Sequence, residues 1–199
     1  DPAARTVEVG AGVLGETLER RLNARGWTLG HFPSSIGTST VGGWLAARSA
    51  GQLSGRYGKI EDMVVGLDVV LADGTQITTG GVPRAAVGPD LNQVFVGSEG
   101  TLGVITELTL RVFGIPEVIA AATMQFESVR NAVDGVIELI QLGIGVARIE
   151  LVDRDAVVAV NRYSGTTLPN KDLLLLEFHG TKESTNIEIA AAREVLERH

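Results

Sequence analysis

The sequence has 199 residues, among them no cysteine, three histidines and 5% aromatic residues. Without cysteine the chain can form no disulfide framework, no thiolate metal site and no cysteine nucleophile. The histidines His31, His179 and His199 are far apart in the sequence. We therefore expect no metal site.

The sequence also lacks an excess of basic residues and any long run of apolar residues. The formal net charge is −7, with −2 in residues 1–114 and −5 in residues 115–199. Neither part has the basic surface of a nucleic-acid-binding protein, and no apolar run approaches the ~20 residues of a membrane-spanning helix. The chain opens on Asp1-Pro2 without the pattern of a signal peptide. We expect no nucleic-acid partner, no transmembrane segment and a cytoplasmic location, with peripheral attachment to a membrane as the alternative.

What the sequence does contain is enough apolar material for a core and an unusual amount of glycine. Hydrophobic residues make up 44% and charged residues 21% of the chain, which excludes wholesale disorder. The 25 glycines indicate many tight turns or close approaches of the backbone to a ligand. The length suits one domain or two small ones.

Hydrophobic periodicity and turn residues divide the chain near residues 114–117, beside Pro116. Before this boundary the pattern predicts a strand at 5–9, a helix at 13–25, a helix at 41–50 capped by Ser39 or Thr40, a hairpin of 63–71 with 75–79, and a strand at 103–113. After it, the pattern predicts strands at 118–126, 146–152 and 172–178 and helices at 128–142, 153–162 and 183–198. That order favours a small α+β unit with helices on one face of a sheet.

Two glycine-bearing segments could contact a ligand. Residues 33–44 combine five hydroxyl side chains with three glycines, and residues 97–106 place Gly97, Gly100 and Gly103 before a strand. Hydroxyls and glycine amides at a helix start suit a phosphate, but a plain Ser/Thr-rich loop would look the same. The second segment matches neither the Rossmann fingerprint nor the P-loop, and a simple glycine-rich turn is its alternative.

The exact residue order of three short segments is more informative about function than their composition. Ser39-Thr-Val-Gly-Gly-Trp44, Arg56-Tyr-Gly-Lys-Ile-Glu-Asp62 and Gly97-Ser-Glu-Gly-Thr-Leu-Gly-Val-Ile-Thr106 resemble, in order and spacing, the FAD-linked oxidases of the vanillyl-alcohol-oxidase (PCMH-type) fold. The resemblance implies an α+β fold class. Residues 1–115 would be the later part of a PCMH-type FAD-binding domain, and residues 116–199 the N-terminal part of a ferredoxin-like α+β substrate, or cap, domain.

The cofactor implied by the resemblance is FAD, held by segments that match the family by position. Residues 34–40 would follow the flavin and pyrophosphate, two glycines would allow close approach, residues 47–50 would line the isoalloxazine, and residues 99–105 would hold the adenosine and ribose. The implied cofactor-binding residues are Ser34, Ser35, Ile36, Gly37, Thr38, Ser39, Thr40, Gly42, Gly43, Ala47, Arg48, Ser49, Ala50, Glu99, Gly100, Thr101, Leu102, Gly103, Val104 and Ile105.

Two family features have no counterpart in the sequence. The glycine-rich pyrophosphate loop would precede Arg5, and the histidine-rich motif of the 2-hydroxy-acid dehydrogenases would follow His199. The sequence therefore resembles an internal fragment, which we expect to be inactive by itself.

The resemblance is divided between two branches of the family. Residues 43–51 and 87–91 are similar to alkyldihydroxyacetonephosphate synthases, with Arg84 the nearest cation to a lysine of the lactate and glycolate enzymes. Residues 147–153, 160–164 and 176–180 are similar to D-lactate dehydrogenases. Alkyl synthases have an arginine at the position of Glu150, and a carboxylate there would repel a phosphate-bearing substrate. We favour the dehydrogenase branch, although Glu150 could instead lie on a solvated strand edge with Arg148 supplying the charge.

Three hypotheses follow. The first is a dehydrogenase of a 2-hydroxy acid such as D-lactate or glycolate: the C2 hydride passes to the flavin, a base takes the hydroxyl proton, and a quinone, cytochrome or electron-transfer protein accepts the electrons. The second is an alkyl-synthase-like flavoenzyme of ether-lipid synthesis without net redox change. The third is a catalytically incomplete flavin-domain module. The catalytic base is not identified in the sequence, and a homo-oligomer is compatible with the resemblance.

Overall fold

The structure, a computed structural model, describes residues 1–82 and 86–199. Arg84 lies outside the described residues. Contacts between Cα atoms divide the chain into two compact units, Asp1–Ile115 and Pro116–His199, and the division falls inside the region 114–117. Each unit has its own sheet and its own hydrophobic core.

The first unit combines six strands with five helices within its described residues. The strands are β1 (Thr6–Gly10), β2 (Trp27–Thr28), β3 (Val64–Val70), β4 (Gln76–Gly80), β5 (Val104–Arg111) and β6 (Phe113–Gly114). The helices are α1 (Gly15–Asn23), α2 (Val41–Ala46), α3 (Ser54–Tyr57), α4 (Ile60–Met63) and α5 (Asn92–Phe95).

Four of these strands form an antiparallel sheet in the order β1-β5-β3-β4. The hairpin of β3 and β4 turns at Asp73-Gly74, where Asp73 Oδ1 accepts from the Thr75 amide at 2.9 Å and Gly74 has a φ of +86°. This is the turn that the Asp-Gly pair predicts. β2 and β6 form a separate two-stranded pair.

The core of the first unit lies between the sheet and helices α1 and α2. Alternate residues of the inner strands, such as Leu67, Val69, Leu108 and Leu110, are almost fully buried. Trp44 of α2 completes this core at 3% exposure. A Cβ atom at Gly15 would stand 2.0 Å from the Trp44 ring, so this close packing of α1 on α2 requires glycine.

Both predicted helices of this unit are shorter than the sequence pattern suggests. α1 spans nine residues instead of 13–25, and Gly26 (φ +79°) follows it. α2 ends at Ala46 instead of residue 50, because Arg48 has a φ of +52°, outside helical geometry. Of the two predicted caps, Thr40 is the N-cap residue, and its hydroxyl accepts from the Gly43 amide at 3.2 Å.

The second unit has the predicted order of three strands and three helices. The strands are β7 (Val118–Phe126), β8 (Val146–Val152) and β9 (Asp172–Gly180). The helices are α6 (Val129–Gln141), α7 (Arg154–Ser164) and α8 (Lys182–Leu196). The sheet is antiparallel, with β9 between β7 and β8.

Helices α6 and α8 pack on one face of the second sheet. Leu174, Leu176 and Phe178, which alternate along β9, share a core with Leu139 of α6 and other residues of these helices. Val157 of α7 is also fully buried but does not belong to this cluster. The expected α+β class is confirmed, with both units mixing helices and antiparallel sheets.

No helix of residues 1–82 and 86–199 combines the length and apolarity needed to cross a bilayer.

Candidate functional site

An open cavity of about 420 Å³ lies in the first unit, where the two glycine-bearing segments meet. Its volume is within the ~300–1,000 Å³ range of small-molecule sites. The cavity is lined by small and apolar residues with a few polar groups: Ala11, Gly12, Thr40, Gly42, Gly43, Ala46, Ser98, Glu99, Gly100, Gly103, Val104 and Ile105.

Backbone hydrogen bonds around the residues after β1 hold one side of this cavity. The Ala11 amide donates to the Thr106 carbonyl at 2.9 Å, and the Ala11 carbonyl accepts from the Gly42 amide at 2.9 Å. Ala11 thus connects strand β5 with the first turn of α2. A Cβ at Gly42 would stand 2.6 Å from the Ala11 Cβ, so glycine permits this contact.

The end of α2 is bonded directly to the second glycine segment. The Leu45 and Ala46 carbonyls accept from the amides of Gly97 (2.9 Å) and Glu99 (3.1 Å). Carbonyls at a helix end need such partners. Glu99 has a φ of +49°, a conformation uncommon for residues other than glycine. These bonds place residues 98–105 beside α2, so two segments that are far apart in the sequence form one cavity.

Two of the glycines in the cavity wall face open space. A Cβ built at Gly12 or Gly100 would meet no atom within 4 Å. Any side chain at these positions would take up room in the cavity. A ligand can therefore approach the backbone closely at both places.

The amides at the start of α2 are already used within the protein. Val41 and Gly42 donate to the carbonyls of Val13 and Ala11, both at 2.9 Å, and Gly43 donates to the Thr40 hydroxyl. The hydrogens of the Gly42 and Gly43 amides are therefore engaged within the protein in this structure. The two glycines line the cavity without supplying these donors.

Most of the hydroxyl segment lies away from the cavity and folds on itself. Ser39 Oγ donates to the Ser35 carbonyl (2.8 Å) and accepts from Trp44 Nε1 (2.6 Å). The carbonyls of Ile36 and Ser39 accept from the first amides of α1. Of residues 34–40, only Thr40 lines the cavity.

Residues 47–50 form a turn that is fixed by charged and backbone contacts. Arg48 lies against Gly97, where a Cβ would be 2.6 Å from the arginine side chain, and its Nε is 3.5 Å from Glu61 Oε1. Lys59 Nζ is 2.8 Å from the same carboxylate oxygen. Burial acts to raise the pKa of Glu61, but the Lys59 hydrogen bond and the charges of Lys59 and Arg48 outweigh it, so the pKa is lowered.

His31 contacts this turn through Ser49 and is 1% exposed. Its Nε2 is 3.1 Å from the Ser49 hydroxyl, and its ring meets Trp44 edge-on with 4.8 Å between ring centroids. Burial lowers the pKa of His31 from 6.5 to about 4, although the charge of Glu61 acts in the opposite direction. The imidazole is neutral at pH 7.

In the second unit, the residues that separate the two family branches lie on β8 and β9. Glu150 pairs with Leu175 in the register of edge strand β8. The guanidinium of Arg148 is bonded to the carboxylate of Glu177. The other Glu177 oxygen is 2.6 Å from Nε2 of His179, which is 3% exposed.

Eight of the twenty predicted cofactor-binding residues line the cavity, and twelve do not. The eight are Thr40, Gly42, Gly43, Glu99, Gly100, Gly103, Val104 and Ile105. Four lining residues were missed: Ala11, Gly12, Ala46 and Ser98. The signal that could have found the first two is the small-residue run Gly10-Ala11-Gly12 at the end of strand β1.

Two family models match the chain on either side of residue 115. Residues 1–80 match an FAD binding domain, and residues 115–199 match the C-terminal domain of FAD linked oxidases.

Among curated relatives, a probable mitochondrial D-lactate dehydrogenase of Danio rerio is 38% identical over 95% of this chain and 38% of its own length. An alkyldihydroxyacetonephosphate synthase of Caenorhabditis elegans is 41% identical over 77% of the chain and 26% of its own length. The glycolate oxidase subunit GlcD of Bacillus subtilis is 35% identical over 90% of this chain and 39% of its own length. The chain thus spans between about a quarter and two fifths of these relatives.

Among solved structures, an alkyldihydroxyacetonephosphate synthase superposes with a TM-score of 0.85 at 27% identity, covering the whole of this chain and 39% of the other. p-Cresol methylhydroxylase superposes with a TM-score of 0.78 at 19% identity, covering the whole of this chain and 44% of its own length. At this identity the match shows a similar fold and nothing more.

Proposed function

Because the chain belongs to the family of FAD-linked oxidases, we propose that its protein is an FAD-dependent oxidoreductase that oxidises a 2-hydroxy acid such as D-lactate or glycolate. FAD is the cofactor that both domains of the family indicate. The observation that carries the proposal is the cavity formed by the two glycine-bearing segments.

The residues around the cavity fit part of FAD. Open space beside Gly12 and Gly100 admits a ligand close to the backbone. Glu99 contributes a carboxylate, which accepts hydrogen bonds from ribose hydroxyls but repels phosphates. We therefore assign the adenosine and ribose to the side of Glu99, and assign the isoalloxazine to residues 47–50.

When bound, FAD supplies a two-electron acceptor that no side chain of the protein can replace. The chain's own part is to bind and orient. The turn 47–50 is held by the bond between His31 and Ser49 and by the ion pair of Arg48 with Glu61. A preformed turn lowers the entropy cost of ordering the site around a ligand.

Charge on β8 and β9 supports the hydroxy-acid branch over the alkyl-synthase branch. Arg148 is neutralised by Glu177, and Glu150 adds a further negative charge on the same strand as Arg148. This set would repel a phosphate dianion more strongly than the single negative charge of a 2-hydroxycarboxylate. The 41% identity to the worm alkyl synthase is the specific observation for the second candidate, a flavoenzyme of ether-lipid synthesis.

The test is anaerobic titration of the purified full-length protein after incubation with FAD, followed at the visible flavin band. We expect D-lactate, glycolate or D-2-hydroxyglutarate to bleach the band, with L-lactate as the enantiomer control and dithionite as the full-reduction control. A bound flavin that dithionite bleaches and no hydroxy acid does would favour the alkyl-synthase function. Protein that retains no flavin would contradict both and favour a catalytically incomplete module.

A further inference from the structure

His31 is the most completely buried histidine of the described chain, and one of its ring nitrogens is unused. Nε2 is within hydrogen-bond distance of Ser49 Oγ, at 3.1 Å. Nδ1 is buried and has no hydrogen-bond partner among residues 1–82 and 86–199. A buried polar atom without a partner is uncommon, so it constrains which tautomer is present.

The unused nitrogen indicates the tautomer with the proton on Nε2. With the proton on Nδ1, a buried N–H donor would have no acceptor, which is rarer and less favourable than an unused acceptor. With the proton on Nε2, the ring donates to Ser49 and only a lone pair remains unpaired. Burial keeps the ring neutral, since its pKa is about 4.

This tautomer determines what the Ser49 hydroxyl can do. Its oxygen accepts from His31, so its own hydrogen must find another acceptor. The nearest acceptor within the described ranges is the Ala50 carbonyl at 3.5 Å, at the limit of a hydrogen bond. The hydroxyl hydrogen is therefore available to a ligand.

The backbone of Ser49 is held as firmly as its side chain. Its amide donates to the Trp44 carbonyl at 2.9 Å, and its carbonyl accepts from the Ile60 amide at 3.3 Å. Arg48, with its φ of +52°, turns the chain immediately before it. Together with His31, these contacts fix the position of the hydroxyl oxygen before any ligand arrives.

We propose that His31 is a positioning residue that sets Ser49 as a hydrogen-bond donor to the isoalloxazine of FAD. This inference rests on the proposed function, which assigns residues 47–50 to that ring. A donor beside the ring stabilises the more electron-rich, reduced flavin more than the oxidised one. The pair therefore raises the midpoint potential of the bound cofactor.

The test compares the midpoint potential and the visible spectrum of bound FAD in the purified flavoprotein and its variants. Ser49→Ala removes the donor, and His31→Phe removes the group that orients it while keeping a ring against Trp44. Both should lower the potential and shift the flavin band in the same direction. His31→Gln, whose amide can donate from a similar position, should restore the wild-type potential.

Two further variants distinguish positioning of the Ser49 hydroxyl by His31 from a general loosening of the loop that contains Ser49. The double variant His31→Phe/Ser49→Ala should match Ser49→Ala alone, because the two residues act in series. Ser54→Ala is the control, since it removes the 2.8 Å bond from the Gly51 amide in the same loop without touching His31. It should leave the potential unchanged.

The outcomes separate this inference from the proposed function. Flavin bound normally, with the wild-type potential in Ser49→Ala, would overturn the inference and leave the function standing. An equal drop in Ser54→Ala would do the same, by assigning the effect to the loop. Wild-type protein without flavin would overturn the function and the inference together.

Discussion

At the scale of single residues, the burial of His31 predicts how stability depends on pH. In the unfolded chain this histidine has the ordinary pKa of 6.5, and in the folded protein the pKa is about 4. Below pH 6.5 the unfolded chain takes up a proton that the folded protein excludes, so acid favours unfolding. The stabilisation is complete above pH 6.5 and is lost as the pH falls toward 4.

We expect this effect to amount to about 2 kcal/mol at pH 5. The measurement is urea unfolding of wild-type protein and His31→Phe at pH 7 and pH 5. The variant should lose less stability between these two pH values. Glu61, which also faces this site, titrates in both proteins, so the difference between them isolates the histidine. Equal losses would assign the acid sensitivity to other groups.

Gly12 provides a residue-scale test of the cavity. Gly12→Val should fold normally, since its Cβ meets no atom within 4 Å and its φ is not in the left-handed region. Its side chain would take up space in the cavity, and we expect the purified protein to retain much less FAD. The readout is the ratio of flavin to protein absorbance.

Gly114→Val is the matched control, because it also meets open space but lies on β6, outside the cavity lining. It should retain FAD as the wild type does. Full flavin content in Gly12→Val would move the proposed site away from this cavity.

Sequence motifs predicted the cavity residues that have distinctive neighbours and missed those without them. Gly100 and Thr40 lie in recognisable strings, whereas Ala46 has no functional group that a pattern could single out, and Ala11 is marked only by its small neighbours. Their role comes from hydrogen bonds to residues distant in sequence, such as that of Ala46 with Glu99. The hydroxyl of Ser39, predicted to contact the cofactor, accepts a hydrogen bond from Trp44 Nε1 in the structure.

At the scale of elements, the start of α7 depends on a single carboxylate. Asp153 is the N-cap residue, and its Oδ1 accepts from the Ala156 amide at 2.7 Å. Asp153→Ala should destabilise the protein by about 1 kcal/mol, since the amide loses its partner. Asp153→Asn keeps a capping oxygen and should lose much less.

Thermal unfolding followed by far-UV circular dichroism measures this difference. Equal destabilisation by alanine and asparagine would show that the charge, and not the capping bond, stabilises this helix end.

Helix and strand types were predictable from the sequence, but several ends were not. The apolar stripe of α6 predicted a helix from residue 128, one residue before the observed start. The prediction was close because Ser128 is the N-cap residue. The end of α2 is followed by Arg48, which combines a positive φ with side-chain contacts to Gly97 and Glu61. No local signal in residues 41–50 reveals those contacts. The two-residue strands β2 and β6 are too short for a periodic pattern.

At the scale of the whole molecule, the two cores can be weakened separately. Leu108 of the first core and Leu139 of the second are both fully buried. Replacing either by alanine should cost about 2–5 kcal/mol in the unit that contains it. Both tryptophans, Trp27 and Trp44, lie in the first unit, so their fluorescence reports on that unit.

We expect Leu108→Ala to lower the urea midpoint seen by tryptophan fluorescence. Leu139→Ala should lower the midpoint of part of the circular dichroism signal and leave the fluorescence transition unchanged. Identical shifts by both probes in both variants would show that the two units unfold as one.

The order of strands within the sheets was the largest part of the fold that the sequence could not predict. Alternation identifies a strand and its buried face, but it does not identify the neighbours of that strand. β1 pairs with β5, about 100 residues later, and β9 lies between the two strands that precede it.

That arrangement has a consequence for synthesis on the ribosome. Among residues 1–82 and 86–199, the latest strand in the sequence of each larger sheet, β5 or β9, occupies an inner position. Until β5 emerges, β1 and the β3–β4 hairpin lack the strand that pairs with both of them in this sheet. Until β9 emerges, β7 and β8 have nothing to join them. Each nascent sheet therefore exposes unpaired edges until β5 or β9 is made, and a holding chaperone would be most needed during that interval.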